Sequence, residues 1–307
     1  MIFLITGATS FIGVALAKLL IAQGQRVIAV CRKDSKGLQN LPEGISVVYA
    51  EMYEYYDLAK TIEHADVFVH LAWAGTSHEG RHDTALQDDN VRYSLQAIDV
   101  AKAIGCQLFV EAGSQAEYGY TTELLKEDMP CHPDNEYGRA KYEFGIKAEE
   151  KCKELGIKFM HLRIISIYGE TDHQWTLVMS CIRKMLRNEP VQLSSCEQMW
   201  NFVCIQDAVK QMYLLSQYAL GRRDYISEVY HIGSNDTRKL RSFVDEMYHL
   251  TNSKSKLEFG KYTPANVVSL NPCMDKTEAA TGGFISDYTF GQIVINIINN
   301  YKNHNYD

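Results

Sequence analysis

Apolar and polar positions alternate in two registers along the first half of the chain. Ile2–Thr6 is a continuous apolar run and predicts a strand. Phe11–Gln23 spaces its apolar residues as a helix does and stops at Gly24. The same reading predicts strands at Arg26–Cys31, Val47–Ala50, Asp66–Ala72, Leu108–Ala112 and Phe159–Ile164. Between them it predicts a short helix at Leu58–Ile62 and long helices at Leu86–Ile104 and Tyr137–Leu155, the last two ended by Gly105 and Gly156. Strands that are apolar throughout and alternate with helices imply a parallel sheet covered on both faces, an α/β doubly wound architecture.

After Gly169 the pattern is less regular. It predicts helices at Trp175–Arg187, Gln206–Tyr218, Leu240–Leu250 and Thr289–Tyr301, short strands at Val191–Leu193, Val229–Ile232 and Leu257–Phe259, and a loop between Gly260 and Pro272. There is no internal repeat. The expected organisation is a dinucleotide-binding domain over residues 1–169 and a smaller α/β substrate-binding lobe over 170–307, with the chain free to cross between them.

Composition narrows the function. Of 307 residues, 46% are hydrophobic and 22% charged, an ordinary soluble balance, and the net charge of −7 argues against a nucleic-acid surface. No apolar run is long enough to span a bilayer, and no charged leader precedes the first strand, so a cytoplasmic protein without membrane or nucleic-acid partners is expected. The eight cysteines form no CxxC pair and lie mostly in apolar segments, as reduced buried thiols would. The ten histidines lack metal-ligand spacing, and no metal site is expected.

The turn after the first strand reads Gly7-Ala-Thr-Ser10-Phe-Ile-Gly13. Strand, glycine turn and helix in that order place free N–H groups and a helix N-terminus where a pyrophosphate can sit, the Rossmann-type arrangement. Gly7 permits the tight turn, Gly13 lets the helix approach the sheet, and Ser10 stands where a middle glycine is more usual. An acid at the end of the second strand would bind a ribose hydroxyl, and an arginine would accommodate a 2′-phosphate. Here the sequence is Cys31-Arg32-Lys33, which favours NADP(H), with NAD as the alternative.

Tyr137 and Lys141 stand four residues apart, on one face of a predicted helix. A free phenol is too weak an acid for proton transfer at neutral pH, and a neighbouring ammonium is expected to lower its pKa. Ser114 follows the strand Leu108–Ala112, at the edge where ligands lie in parallel α/β sheets.

The segments TGATSFIG (6–13), HLAW (70–73), Asn90-Val91, GSQAEYG (113–119), YGRAK (137–141), LRIISIYG (162–169), WNFVCIQDAV (200–209) and YHIGS (230–234) together resemble the extended short-chain dehydrogenase/reductases, the nucleotide-sugar epimerase, dehydratase and reductase family. The resemblance runs in order over nearly the whole chain. It implies Tyr137 as proton donor or acceptor, Lys141 as its helper and Ser114 as the third catalytic residue. It also implies a cofactor lying along Gly7, Ser10, Phe11, Ile12, Gly13, Arg32, Leu71, Ala72, Trp73 and Asn90, and held by Tyr137 and Lys141. A homodimer through the two long helices is a further implication.

The departures from the family are informative. Dehydratases of the family carry Asp-Glu directly after the position of Ser114, where this chain has Gln115 and Ala116. Glu117 is one residue further on, which on an extended segment would turn it to the opposite face. Arginines that meet the substrate diphosphate are replaced by Trp200 and, near the C-terminus, around Thr263, leaving Lys261 and Arg187 as substitutes. Ser166 replaces a common asparagine. Ser114, Gln115, Ser166, Trp175 and Trp200 are the expected substrate residues, the two tryptophans by stacking. The expected activity is NADPH-dependent reduction of a nucleotide-linked 4-keto-6-deoxy sugar, with GSQAEYG also resembling the CDP-abequose and CDP-paratose synthases. An NAD-dependent nucleotide-sugar 4-epimerase is the alternative, and a non-catalytic NADP-binding protein the third reading.

Overall fold

The computed structural model describes residues 1–262 and 268–304. Seven strands form the main sheet: β1 (Ile2–Thr6), β2 (Arg26–Cys31), β3 (Ser46–Tyr49), β4 (Val67–His70), β5 (Leu108–Ser114), β6 (Lys158–Ile164) and β7 (Ser227–Ile232). Their order is β7-β6-β5-β4-β1-β2-β3, every pair parallel. The helices are α1 (Phe11–Ala22), the single turn α2 (Leu58–Thr61), α3 (Thr84–Ala103), α4 (Glu136–Leu155), α5 (Leu177–Leu186), α6 (Ile205–Gly221), α7 (Leu240–Thr251), α8 (Asp275–Ala280) and α9 (Phe290–His304).

Alternate residues of each strand serve opposite faces. Phe3 and Ile5 pack with α1 and α6, whereas Leu4, Phe68 and Phe109 pack with α3 and α4. Both faces are buried, which is why these strands read as continuous apolar runs. The strand order reverses between β1 and β4, and a crevice opens at their carboxyl ends, where ligands lie in such sheets.

Two features extend the sequence reading. β5 runs on to Ser114, because Gly113 and Ser114 stay in register with Arg163 and Ile164 of β6. The strand foreseen at Val229–Ile232 begins at Ser227 and completes the main sheet beside β6. The remaining C-terminal elements, α5, α7 and α9, close around Tyr168, Phe202, Phe243 and Phe290. Short strand pairs join them: Ile167–Tyr168 with Val203–Cys204, Met199–Asn201 with Thr237–Lys239, and Val191–Gln192 with Leu257–Glu258. Helix α8 was not foreseen, its six residues being too few to show periodicity. The eight cysteines are free thiols, seven of them buried. No helix among the described residues is long and apolar enough to cross a membrane.

Candidate active site

The cofactor wall is shaped by two missing side chains. Gly7 has a φ of +66°, and a Cβ there would stand 2.8 Å from the Ala72 nitrogen at the end of β4. A Cβ at Gly13 would lie 2.4 Å from the Gly7 carbonyl oxygen. Both contacts are with backbone, which cannot move aside. Ser10 caps α1, its hydroxyl oxygen accepting the Gly13 N–H at 3.1 Å and keeping its own proton to donate. Phe11 and Ile12 head the first turn, whose N–H groups have no intrahelical partner. A cavity of about 650 Å³ opens over this turn, and Gly7, Ser10, Phe11, Arg32, Leu71, Ala72, Trp73 and Asn90 all line it. Its size, glycine floor and helix N-terminus fit a nicotinamide dinucleotide.

Two of these residues also brace the loop after β4. Asn90 Oδ1 accepts the Ala74 N–H and its Nδ2 donates to the Ala74 carbonyl, both at 2.9 Å. The Trp73 indole donates to Gln87 Oε1 at 2.8 Å. Arg32 is exposed at the far end of the cavity and meets Asp34 at 3.9 Å.

The catalytic wall is the start of α4. Asn135 caps the helix by accepting the Gly138 N–H at 2.9 Å. A Cβ at Gly138 would lie 2.3 Å from the Ala116 carbonyl oxygen, so the first turn of α4 sits directly on the 3₁₀ turn Gln115–Glu117 that follows β5. This close approach brings the Tyr137 phenol beside the Ser114 hydroxyl, near enough for the serine to lower its pKa. Trp73 meets the Tyr137 ring edge-on at 6.4 Å, and the Arg81 guanidinium stands 4.7 Å from the ring centre.

The expected lowering of the Tyr137 pKa by Lys141 is corrected by the geometry. Lys141 turns inward, donating to the Ala112 carbonyl at 2.7 Å, meeting Glu111 Oε1 at 3.6 Å and lying 3.6 Å over the Trp73 ring. Burial pushes the Tyr137 phenol above its ordinary value, Ser114 and Arg81 only partly oppose it, and the Glu117 and Glu111 carboxylates add to the rise. Burial likewise pulls the Lys141 ammonium down, against the upward pull of Glu111 and Glu117. The phenol therefore stays protonated at neutral pH.

The Glu117 expectation also needs correcting. Its segment is a 3₁₀ turn, not an extended strand, and its carboxylate folds back beneath β5. There Oε1 accepts the Ser114 N–H at 2.7 Å, both oxygens lie within 2.9 Å of His161 Nε2, and Oε2 accepts from Arg163 Nε at 2.8 Å. Its pKa falls to about 2: burial opposes this, but His161, Arg163 and the Ser114 N–H outweigh it. Glu117 is a buried structural anion, closed to dehydratase chemistry. Glu111, His161 and Arg163 were missed by the sequence reading. The signal was present: a charged or imidazole side chain in the middle of a doubly covered strand, as in LFVEA and FMHLR, needs a buried partner.

The residues expected to meet substrate are more dispersed. Gln115 follows Ser114 at the catalytic corner, and the Ser166 carbonyl accepts the Val203 N–H beyond β6. Helix α5 begins at Leu177, so Trp175 lies outside it, 76% exposed and stacked on His173 at 4.2 Å, and His173 itself lines the cofactor cavity. Trp200 packs beside Phe202, and its buried Nε1 has no hydrogen-bond partner among the described residues. Thr263 lies outside the described residues.

A dinucleotide cleft beside a protonated phenol is suited to hydride transfer coupled to proton transfer, which places the protein among the nicotinamide-dependent enzymes. More narrowly, the chain belongs to the NAD dependent epimerase/dehydratase family, whose family model matches residues 3–233. Among relatives, dTDP-6-deoxy-L-talose 4-dehydrogenase (NAD(+)) of Aggregatibacter actinomycetemcomitans is 27% identical over 274 residues, covering 84% of this chain and 94% of that protein. CDP-abequose synthase of Salmonella muenchen is 24% identical over 277 residues, covering 84% and 83%. Two solved structures share the fold over 99% of both chains. UDP-glucose 4-epimerase of Thermotoga maritima with UDP-glucose has a TM-score of 0.83 at 20% identity. UDP-glucuronic acid 4-epimerase of Bacillus cereus with UDP-glucuronic acid and NAD has 0.82 at 18%.

Proposed function

We propose that this protein is an NADPH-dependent ketoreductase acting on a nucleotide-linked 4-keto-6-deoxy sugar. The observation that carries the reading is Tyr137, set beside Ser114 and edge-on to Trp73, which lines the dinucleotide cavity. Such a phenol can pass its proton to a carbonyl oxygen as hydride reaches the carbon, which suits reduction. The names of the relatives, a 6-deoxy-L-talose 4-dehydrogenase and an abequose synthase, agree with a deoxysugar nucleotide as substrate.

The bound cofactor would supply the hydride that reduces the carbonyl carbon. Tyr137 donates its proton to the carbonyl oxygen, and Ser114 hydrogen-bonds that oxygen as charge develops on it. Lys141, anchored on the Ala112 carbonyl, would offer its ammonium to the nicotinamide ribose. Arg32, exposed at the adenosine end of the cavity, is placed to pair with a 2′-phosphate, which selects NADPH over NADH. The parts of residues 170–307 other than α6 and β7, which belong with the main sheet, supply the substrate lobe, with Ser166 at its entry. The exposed Trp175 is offered for stacking on a base and the Trp200 indole N–H for a substrate oxygen, with Arg187 and Lys261 for the diphosphate. α3 and α4, packed side by side on one face, are the surface through which two copies pair; light scattering of the purified protein checks the dimer.

The test is to incubate the purified protein with NADPH and CDP- or dTDP-4-keto-6-deoxyglucose. Oxidation of NADPH with formation of the sugar alcohol supports the reading. Tightly held NAD, released on denaturation, with two sugars interconverted and no net NADPH oxidation, would replace it with the 4-epimerase.

A further inference from the structure

Beneath the catalytic corner a chain of charged side chains runs from Lys141 through Glu111, His161 and Glu117 to Arg163, all of them buried. We propose that Glu111 is a positioning residue of the reaction: clamped between Lys141 and an imidazolium at His161, it keeps the Lys141 ammonium charged and fixed behind Tyr137. The inference rests on the reading of Tyr137 and Lys141 as the proton-transfer pair.

The parallel register pairs Glu111 with His161 and Gly113 with Arg163, so the four positions share the face covered by α4, which carries Lys141. His161 Nδ1 is in ion-pair contact with Glu111 Oε2, and Nε2 lies 2.8 and 2.9 Å from the two oxygens of Glu117. A carboxylate at each ring nitrogen favours the ring in its imidazolium form. Burial alone would neutralise it, yet the two carboxylates hold its pKa up to about 10. The ring cannot turn away. A Cβ at Gly113 would lie 2.5 Å from His161 Nε2, and one at Gly145 2.7 Å from its Cε1, so β5 and α4 leave a slot of the ring's own shape.

Three cations, Lys141, His161 and Arg163, thus face two anions, Glu111 and Glu117. Around them the Arg81 guanidinium, against the Tyr137 ring, and the Glu127 carboxyl, 3.6 Å from His231 Nδ1, add one group of each sign. Tyr137 on its own helix is a protonated phenol. His70 on β4 is held neutral by burial between Thr6 and Ser94. Trp73 offers its ring face. Glu111 and Glu117 themselves oppose a phenolate at Tyr137, so what the network offers the reaction is a Lys141 held charged and in place. Buried ion pairs of this kind are seldom more stabilising than packed apolar side chains, so stability alone does not account for the network. Through Glu117 the same network holds the Ser114 N–H, so both catalytic partners of Tyr137 hang on it.

Glu111→Gln keeps the shape and removes the charge. With NADPH and the ketosugar, its kcat should fall about tenfold or more near neutral pH, and the alkaline limb of its kcat profile should move down by about one pH unit as Lys141 loses its proton earlier. The KM for NADPH should stay within about twofold, since the cofactor wall is untouched. A kcat–pH profile superimposable on that of the unaltered protein, with only the Tm lowered, would overturn the proposal. A second measurement needs neither substrate nor folding of the variant. In ¹⁵N-histidine spectra of the unaltered protein, His161 should keep both ring N–H protons at pH 8. A His161 ring that has lost one of them by then would overturn the network whatever the variant does. Failure of the unaltered protein to reduce any ketosugar would instead count against the proposed function, leaving the ring spectrum to decide the charge state.

Discussion

Between Gly7 and Gly13 the cofactor wall is built from a few consecutive residues that meet one neighbouring strand end, whereas the catalytic wall draws on Glu111, Ser114, Glu117, Tyr137, Lys141, His161 and Arg163, spread over three elements and the turn that joins two of them. The first wall is steric: backbone approaches backbone where no Cβ fits. The second is electrostatic, with charges buried in alternation behind a phenol that burial keeps protonated. Damage to the first should therefore appear as lost fold and lost cofactor. Damage to the second should appear in proton transfer and in the pH dependence of stability.

The largest effect on the steric wall is expected from Gly13→Val. Its Cβ would enter backbone at 2.4 Å, so we expect a destabilisation of about 2–3 kcal/mol and a loss of dinucleotide affinity of roughly a hundredfold or more. Thermal unfolding and a fluorescence titration with NADPH measure the two. Unchanged binding would mean that this turn does not hold the cofactor.

Glu117→Gln strikes the electrostatic wall. Removing one carboxylate leaves His161 and Arg163 facing an amide, at a cost of about 3–5 kcal/mol by urea unfolding. The pH profile of stability gives the sign. Glu117 has a folded pKa of about 2, below its unfolded value, so its contribution is present at neutral pH and is lost as pH falls toward 2. His70, lowered to about 3 by burial, adds to the loss on the acid side, starting below its ordinary value. His161 is raised to about 10, so its contribution is full below its ordinary value and disappears as pH rises through 10. Urea midpoints against pH should thus fall at both ends, and Glu117→Gln should flatten both limbs. A variant that kept the full pH dependence would show that the network does not carry it.

A smaller effect is expected at the outer edge of the cofactor wall. Arg32 is exposed, so Arg32→Ala should leave Tm unchanged while raising the Kd for NADPH about ten- to a hundredfold, with the Kd for NADH little altered. Equal weakening of both cofactors would remove the case for NADP(H).

The contrast between the walls also explains what could be read from the chain alone. The Gly7–Gly13 turn, the doubly covered strands and the four-residue spacing of Tyr137 and Lys141 are local patterns, and each fell where its periodicity placed it. The inward turn of Lys141 was not legible. It depends on Glu111 and the Ala112 carbonyl, 29 and more residues away, and on the register that sets Glu111 beside His161. Glu117 was misjudged because a three-residue 3₁₀ turn leaves no mark in the hydrophobic pattern, and the turn reverses which face its side chain serves. Val191–Gln192 and Leu257–Glu258 were foreseen as strands, whereas Ile167–Tyr168 with Val203–Cys204 and Met199–Asn201 with Thr237–Lys239 escaped for the same reason, being two or three residues long.

Tyr137→Phe puts the central claim to the most direct test, because it removes one hydroxyl and leaves the ring between Trp73 and Arg81. Measured by NADPH oxidation with a nucleotide-linked ketosugar, kcat should fall about a thousandfold while the Kd for NADPH stays within about twofold. A variant retaining more than about a tenth of the original turnover would contradict the account.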